Sequence, residues 1–193
     1  LQGADAYMEK FSHIEDIHRR IFAAMLANMD DSVCSEMAQV RKSGLEENTL
    51  VFFLCDNGGP TRALTSSNLP PRGEKGGMYE GGLRVPFMGQ WKGTIPAGQV
   101  YHKPVSTFDI YATAAANSKD VTAPKQVEGV DLIPFLTGEN EGTPHQTLYW
   151  RQGGRNGLRH GDMKLVRMGS QQSVGNAQWE LYDLSKDLSE ETN

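Results

Sequence analysis

Asp56 and Asn57 place an acid and an amide side by side, directly after the apolar run TLVFFLC at residues 49–55. Their carboxylate and amide oxygens are hard donors of the kind that Ca²⁺ takes at about 2.3–2.6 Å. Gly58 and Gly59 follow, and they let the backbone turn sharply and leave room for a ligand. Asp-Asn-Gly-Gly is also good turn chemistry. These four residues therefore leave two interpretations open, a partial cation site and a plain turn.

The second candidate, Lys75, lies in a glycine-rich stretch, residues 68–87 (NLPPRGEKGGMYEGGLRVPF). A connection of this length between two strands is uncommon unless it is functional or disordered, and Tyr79 with its closely spaced glycines argues for order. A lysine ammonium pairs with anions as a compact point charge, whereas a solvated loop lysine is the plain alternative. The stretch also carries an acid and two arginines that are well placed to pair and hold the loop: Arg72, Glu80 and Arg84.

Apolar periodicity predicts the elements that position these residues. Apolar side chains recur at three- and four-residue steps between residues 13 and 43, which indicates a long amphipathic helix with a core-packing stripe. Gly44 suits the turn that ends this helix. The run at residues 49–55 is continuous rather than alternating, which fits a strand covered on both faces in a parallel sheet. Because ligands collect beyond the carboxyl ends of such strands, an α/β fold places Asp56 and Asn57 where a ligand binds.

The pattern changes from about Thr147. Three short strand-like runs, TLYWRQ, GLRHGDMKLVRM and QWELYDLS, are separated by polar turns. They predict a small antiparallel sheet, with His160 in a hairpin turn. None of the histidines is assigned chemistry, and this includes His102 and His145 in polar loops.

Bulk composition narrows the function classes. The chain has 193 residues, of which 38% are hydrophobic and 22% charged, with a formal net charge of −5 and no basic block. Nucleic acid is therefore not an expected partner. No stretch approaches the roughly 20 apolar residues that span a bilayer, so a membrane is not expected either. The two cysteines, Cys34 and Cys55, have neither metal-ligand spacing nor a disulfide framework.

Several sequence blocks together resemble the second half of a type I sulfatase, from about residue 18 to residue 193. In chain order they are TLVFFLCDNGGP, LPPRGEKGGMYEGGLRVPF, WKGTIPAG, EGVDLIPFLTG, GDMKLVR and WELYDLSKDLSEETN. Separate blocks in the correct order are far more specific than one motif. The resemblance implies part of an alkaline-phosphatase-like sheet flanked by helices at residues 1–145, followed by a small antiparallel subdomain at residues 146–193.

The resemblance also implies chemistry. In sulfatases the acid and amide after the strand complete the coordination of a divalent cation, so Asp56 and Asn57 are expected to bind Ca²⁺, with Mg²⁺ as the alternative. The lysine of the Lys-Gly block contacts the sulfate group, so Lys75 is expected to bind an aryl or carbohydrate sulfate ester and to stabilise charge during catalysis. By the same resemblance the compartment is periplasmic, secreted or lysosomal.

One departure from the family is decisive for activity. The sulfatase nucleophile is a Cys or Ser in a Cys/Ser-x-Pro/Ala-x-Arg motif that is converted to formylglycine, and neither Cys34 (followed by SEMAQ) nor Cys55 (followed by DNGGP) lies in one. We therefore expect a C-terminal piece of a longer enzyme that is inactive alone, and that self-associates or needs the missing N-terminal half. Two alternatives stay open, a non-catalytic module for sulfated ligands and a piece of a related phosphatase or phosphodiesterase.

Overall fold

The computed structural model describes residues 2–118, 127–170 and 177–193 of the chain. Within these ranges the α-helices are α1 (Asp5–Lys10), α2 (Ile17–Lys42), α3 (Glu80–Leu83), α4 (Asp109–Ala116) and α5 (Ile133–Leu136), and Glu46–Asn48 forms a 3₁₀ turn. The strands are β1 (Val51–Leu54), β2 (Phe87–Gln90), β3 (Thr147–Gln152), β4 (Arg155–His160), β5 (Met163–Met168) and β6 (Trp179–Asp183). In these ranges no helix is both long enough and apolar enough to cross a bilayer.

The chain forms two compact units. The first comprises Leu1–Leu45, Leu54–Pro86 and Tyr149–Asn193, and the second comprises Glu46–Phe53 and Phe87–Leu148. The first unit contains all three residues that the sequence singles out for chemistry. The division at residue 145 into a core and an appended subdomain stays a prediction.

Helix α2 confirms the long helix predicted between residues 13 and 43. It begins at Ile17 because the side chain of Asp16 accepts a hydrogen bond of 2.6 Å from the backbone N–H of Arg19, which satisfies one of the free donors of the first turn. Arg41 lies in the last turn, where a cation complements the helix dipole. Gly44 follows at φ +68, as predicted for the residue that ends the helix.

The apolar stripe of α2 differs from its prediction as a core-packing surface. Among the described residues only Ala24 of this helix is fully buried, while Ile17, Met25 and Met29 keep 48%, 38% and 45% of their surface exposed. Periodicity correctly identified the helix. Burial of its apolar stripe depends on a second element that packs against it, and the pattern of one helix does not reveal such an element.

The apolar run at residues 49–55 forms the short strand β1, which pairs with β2 in a sheet of two strands within the described residues. The rings of Phe52 and Phe87 pack at a centroid distance of 5.5 Å, within the usual range for aromatic pairs. All four residues of β1 are only half-buried. The predicted strand is therefore present, but the predicted cover on both of its faces is not seen in the described part of the chain.

The C-terminal strands confirm the small antiparallel sheet predicted from Thr147. Its strands lie in the order β3-β4-β5-β6, and β5 pairs antiparallel with both β4 and β6. His160 was predicted to lie in a hairpin turn. It is instead the last residue of β4 and pairs with Met163, and the turn follows it at Gly161 with φ +58. A hydrophobic core cluster of the first unit packs against this sheet and consists of Met78, Val166, Tyr182 and Leu184.

Candidate functional site

The strand tip, which we define as Asp56, Asn57 and Gly58, follows β1 after one intervening residue, Cys55. Asp56 is exposed and Asn57 is half-buried. The Nδ2 group of Asn57 donates a hydrogen bond of 3.0 Å to the carbonyl of Gly58. Because a carbonyl can only accept, the nitrogen end of the amide faces Gly58, and the Oδ1 atom accepts no hydrogen bond from the residues that the structure describes. The tip therefore offers one carboxylate and one amide oxygen.

The strand tip rests on a pair of glycines in α3, Gly81 and Gly82, which we call the glycine seat. The backbone N–H of Gly58 donates to the carbonyl of Gly82 at 3.1 Å. A Cβ atom at Gly58 would lie 1.8 Å from the carbonyl oxygen of Gly81, so no larger residue fits without moving the backbone. The tip and the seat are thus joined by a backbone hydrogen bond, and they lie too close together for a side chain at Gly58.

Lys75 lies in a tight turn formed by residues 74–77, the Lys75 turn. The turn is closed by a hydrogen bond of 2.8 Å from the N–H of Gly77 to the carbonyl of Glu74, and Gly76 adopts φ +79, a conformation that glycine takes at no steric cost. Arg155 of β4 donates from Nη1 to the carbonyl of Gly76 at 2.6 Å. The turn is therefore ordered, and it presents the Lys75 side chain to solvent.

The Lys75 turn packs against the same glycine seat. A Cβ atom at Gly82 would lie 2.6 Å from the carbonyl oxygen of Gly77 and 2.7 Å from that of Glu74. The structure thus brings Asp56, Asn57 and Lys75 onto two segments that share one support. Among the residues that the structure describes, neither the Asp56 carboxylate nor the Lys75 ammonium forms an ion pair.

The ion pairs predicted within the loop are partly confirmed. Glu80 and Arg84 pair at 3.7 Å, as the sequence predicts. Arg72 instead contacts β6, where its Nη2 atom lies 3.2 Å from the Glu180 carboxylate, and its guanidinium stacks 3.9 Å from the centroid of the Tyr79 ring. Arg72 therefore ties the loop to the antiparallel sheet.

The contacts around Glu180 shift its pKa and that of a neighbouring tyrosine. Burial, together with a hydrogen bond to Glu180, raises the pKa of Tyr79 to about 12. Although burial opposes the change, hydrogen bonds from Tyr182 and Tyr79 lower the pKa of Glu180. The phenol thus stays a donor and the carboxylate an acceptor at neutral pH.

Sequence reasoning missed a cluster of charges behind the seat, formed by Lys164, Glu80 and Glu190, which we call the buried triad. The Lys164 ammonium lies 2.6 Å from Glu80 and 3.3 Å from Glu190. Burial raises the pKa of Glu190, and the charge of Lys164 opposes that change. One signal was available, because Lys164 and Val166 share one face of β5 and strand residues two apart point the same way.

A second buried pair lies in the other unit. The Nε2 atom of His145 is 2.8 Å from both carboxylate oxygens of Asp109, which also accept the backbone N–H groups of Ser106 and Val130. The Asp109 side chain is fully buried and that of His145 is 9% exposed. These contacts satisfy the carboxylate completely, so they secure the start of α4 rather than present a reactive group.

The donor set at the strand tip fits part of a cation site. Ca²⁺ takes six to eight oxygen ligands, and the tip supplies two. In the described ranges no group of three or more His, Cys, Asp and Glu side chains is arranged to hold a metal ion. The residues present therefore fit the edge of a coordination sphere that other ligands would have to complete.

Comparison with known families identifies the family of the chain. The family model described as Sulfatase matches residues 4–117, and a model described as N-sulphoglucosamine sulphohydrolase, C-terminal, matches residues 74–193. The chain belongs to the sulfatase family. The two matched regions overlap across the Lys75 turn and the glycine seat, whereas the strand tip lies in the region matched by the Sulfatase model alone.

Curated relatives agree with this family. The chain is 31% identical over 148 residues to the uncharacterized sulfatase YdeN of Escherichia coli (strain K12), a match that covers 76% of the chain and 26% of the relative. It is 34% identical over 141 residues to human arylsulfatase A, covering 72% of the chain and 27% of the relative. The chain thus spans about a quarter of the length of the curated relatives it matches.

Solved structures show the same fold. The crystal structure of Ps i-CgsB covers the whole chain with a TM-score of 0.86 and 26% identity, and the match spans 42% of that protein. A second structure of Ps i-CgsB, in complex with k-i-k-neocarrahexaose, gives the same TM-score at 27% identity. The chain therefore has part of the alkaline-phosphatase-like α/β fold of sulfatases, which confirms the predicted fold class.

Proposed function

We propose that this chain carries one side of the active site of a sulfuric ester hydrolase. In this proposal Asp56 and Asn57 supply two ligands of a divalent cation, Ca²⁺ or Mg²⁺, and Lys75 binds the sulfate group of the substrate. The observation that carries it is the shared support, since the strand tip and the Lys75 turn both pack on the glycine seat. Family membership provides the reaction class.

The proposed roles follow from the chemistry of the side chains. The free Oδ1 atom of Asn57 and the exposed carboxylate of Asp56 are hard donors that suit a hard cation. A divalent cation at these ligands would neutralise charge on the sulfate oxygens. The Lys75 ammonium has no anionic partner among the described residues, so it is available to pair with the sulfate and to stabilise charge that develops as the S–O bond breaks.

We further propose that the 193-residue chain alone does not hydrolyse sulfate esters, because the Cys/Ser-x-Pro/Ala-x-Arg nucleophile motif does not occur in it. Aryl sulfate hydrolysis by the isolated chain should not exceed background. The gene sequence upstream of Leu1 should encode that motif in the same reading frame. Clear turnover by the isolated chain, or an upstream sequence without the motif, would contradict this assignment.

An oligosaccharide is the substrate class that we favour over a simple aryl ester. The support is the match to Ps i-CgsB, which covers the whole chain and which has been crystallised with k-i-k-neocarrahexaose. The intact enzyme should therefore release sulfate faster from a sulfated oligosaccharide than from an aryl sulfate. Equal or slower release from sulfated oligosaccharides of several backbones would remove this preference.

A further inference from the structure

The buried triad is the most enclosed charged cluster in the described part of the first unit. Lys164 and Glu190 are 0% exposed and Glu80 is 2% exposed. Besides its contacts with Lys164, the cluster contains a hydrogen bond of 2.6 Å from the backbone N–H of Glu80 to the Glu190 carboxylate. Each charge thus has an opposite charge or a hydrogen-bond donor beside it.

Stability alone is a weak explanation for such a cluster. Taking charges out of water is expensive, and replacing a buried ion pair by apolar residues of similar volume is often neutral or stabilising. In some proteins buried polar or charged groups instead fix one conformation, because a satisfied network of hydrogen bonds and ion pairs rigidifies its surroundings. The position of the triad therefore matters more than its energy.

The triad lies directly beside the glycine seat. Glu80 precedes Gly81 in the chain. Its backbone N–H donates to the Glu190 carboxylate, and its own carboxylate accepts from the Lys164 ammonium. The next residue, Gly81, donates its N–H to the carbonyl of Arg72 at 2.7 Å, and Gly82 accepts the N–H of Gly58. Any shift of Glu80 would consequently move the surface on which the strand tip and the Lys75 turn both rest.

The C-terminal segment is tied to the same place. Glu190 adopts φ +56, a left-handed conformation that non-glycine residues rarely take and that needs compensation from surrounding contacts. Its carboxylate reaches Glu80 and Lys164. The preceding Ser189 donates from Oγ to the carbonyl of Pro70 at 3.1 Å. The segment thus contacts the glycine-rich loop at two points.

We propose that Lys164 and Glu190 are positioning residues for the sulfate-binding site. They hold the glycine seat at the height and angle that let the strand tip and Lys75 act on one sulfate group, although neither touches the substrate. This inference rests on the proposed function. It assigns the C-terminal sheet and the C-terminal segment a role in setting the geometry of a site to which they contribute no ligand.

The test uses the intact enzyme that carries this chain, with inorganic sulfate as a competitive probe. Lys164→Met removes the ammonium but keeps the length of the side chain, and Glu190→Gln keeps an oxygen that can accept the N–H of Glu80. Lys186→Met is the matched control, because Lys186 is 81% exposed and pairs with Asp183 on the surface. Inhibition by sulfate, kcat and KM are measured well below each variant's melting temperature.

We expect both triad variants to weaken sulfate inhibition and to lower kcat/KM by at least tenfold while most of the protein stays folded, and the control to change neither. A folded Lys164→Met or Glu190→Gln enzyme with unchanged inhibition and kcat/KM would overturn the positioning role. Failure of both variants to fold would make the triad a stability element, which would also overturn it.

Lys75→Ala separates this inference from the proposed function. If Lys75→Ala leaves sulfate inhibition unchanged, the proposed function is wrong. If Lys75→Ala abolishes the inhibition and the triad variants do not weaken it, the proposed function stands and only the positioning role fails.

Discussion

Two lysines in the first unit show how differently one side chain can be used. Lys75 is exposed on a tight turn and pairs with no acid in the described ranges, whereas Lys164 is 0% exposed and lies between two carboxylates. The first is placed to meet an anion that arrives from solvent. The second already pairs with two carboxylates of its own chain. Lys75 lies near the start of the segment 74–82, and Lys164 contacts Glu80 near its end. In our proposals the first lysine serves the chemistry and the second the geometry of the site.

The contrast predicts that stability and function can be changed separately. A charge at the surface is well hydrated and contributes little to folding, while a buried charge that loses its partner is costly. Substitutions at Lys75 should therefore alter the response to sulfate and leave folding intact. Substitutions in the buried triad should lower the free energy of unfolding and, through the glycine seat, also change the geometry of the site.

The largest effect should distinguish the two lysines directly. Lys164→Met removes the cation beside the buried Glu190 and leaves Glu80 with only the more distant Arg84 and Arg159, at 3.7 and 3.8 Å. Breaking a buried pair in this way costs about 3–5 kcal/mol. Lys75→Met, an identical substitution at an exposed position, should change the free energy of unfolding by less than about 0.5 kcal/mol. Urea unfolding of the two variants checks this. Equal losses of stability would remove the contrast.

The next effect tests the close approach at the seat. Gly58→Ala would place a Cβ atom 1.8 Å from the Gly81 carbonyl oxygen, and forcing the backbone apart should cost about 3 kcal/mol. Gly138→Ala is the control, because it adds strain at φ +84 but meets no atom within 4 Å, so it should cost about 1–2 kcal/mol. Equal free energies of unfolding for the two variants would contradict the close approach of Gly58 to the Gly81 carbonyl.

A smaller effect concerns the tie between the loop and β6. Tyr79→Phe removes the hydrogen bond to Glu180, which should cost about 1 kcal/mol at neutral pH. Since the pKa of Tyr79 in the fold, about 12, lies above its ordinary value of 10.0, this stabilisation is present below pH 10 and is lost as the pH rises towards 12. Unfolding of wild type and variant across this range should converge, and a constant difference would contradict it.

The smallest effect lies on the surface of β6. Asp183 accepts hydrogen bonds from Lys186 and Ser185, and these lower its pKa from 3.8 to about 2. The folded-state pKa is the lower one, so the stabilisation is present above pH 3.8 and disappears as the pH falls through 2. Asp183→Asn should lower the melting temperature slightly at pH 6 in low salt and not at pH 2. An equal loss at both pH values would exclude the ion pair as its source.

Local features of the chain were predictable from sequence. Gly44 was predicted to end α2, because a left-handed turn depends on a single residue. The predicted start at residue 13 lay upstream of the Asp16 cap, which begins the helix at Ile17. The short strand-like runs after Thr147, separated by polar turns, identified the antiparallel sheet for a similar reason, since strand and turn signals are local.

Long-range partners were not predictable in the same way. Lys164 meets Glu80 across 84 positions and Glu80 meets Glu190 across 110, and no spacing rule connects residues so far apart. His145, which the sequence placed in an unremarkable polar loop, proved to hold Asp109 across 36 positions. Only the fold decides which buried charges find each other, so these residues carried no sequence signal of their pairing.

The measurement that tests the central claim most directly is a double-mutant cycle in the intact enzyme, with Asp56→Ala, Lys75→Ala and the double variant compared by kcat/KM for a sulfate ester. If both side chains act on one sulfate group, each single variant should lose at least a hundredfold, and the double variant should lose far less than the product of the two. The melting temperatures should stay close to that of the wild type. Losses that multiply, or a single variant with full activity, would contradict the claim.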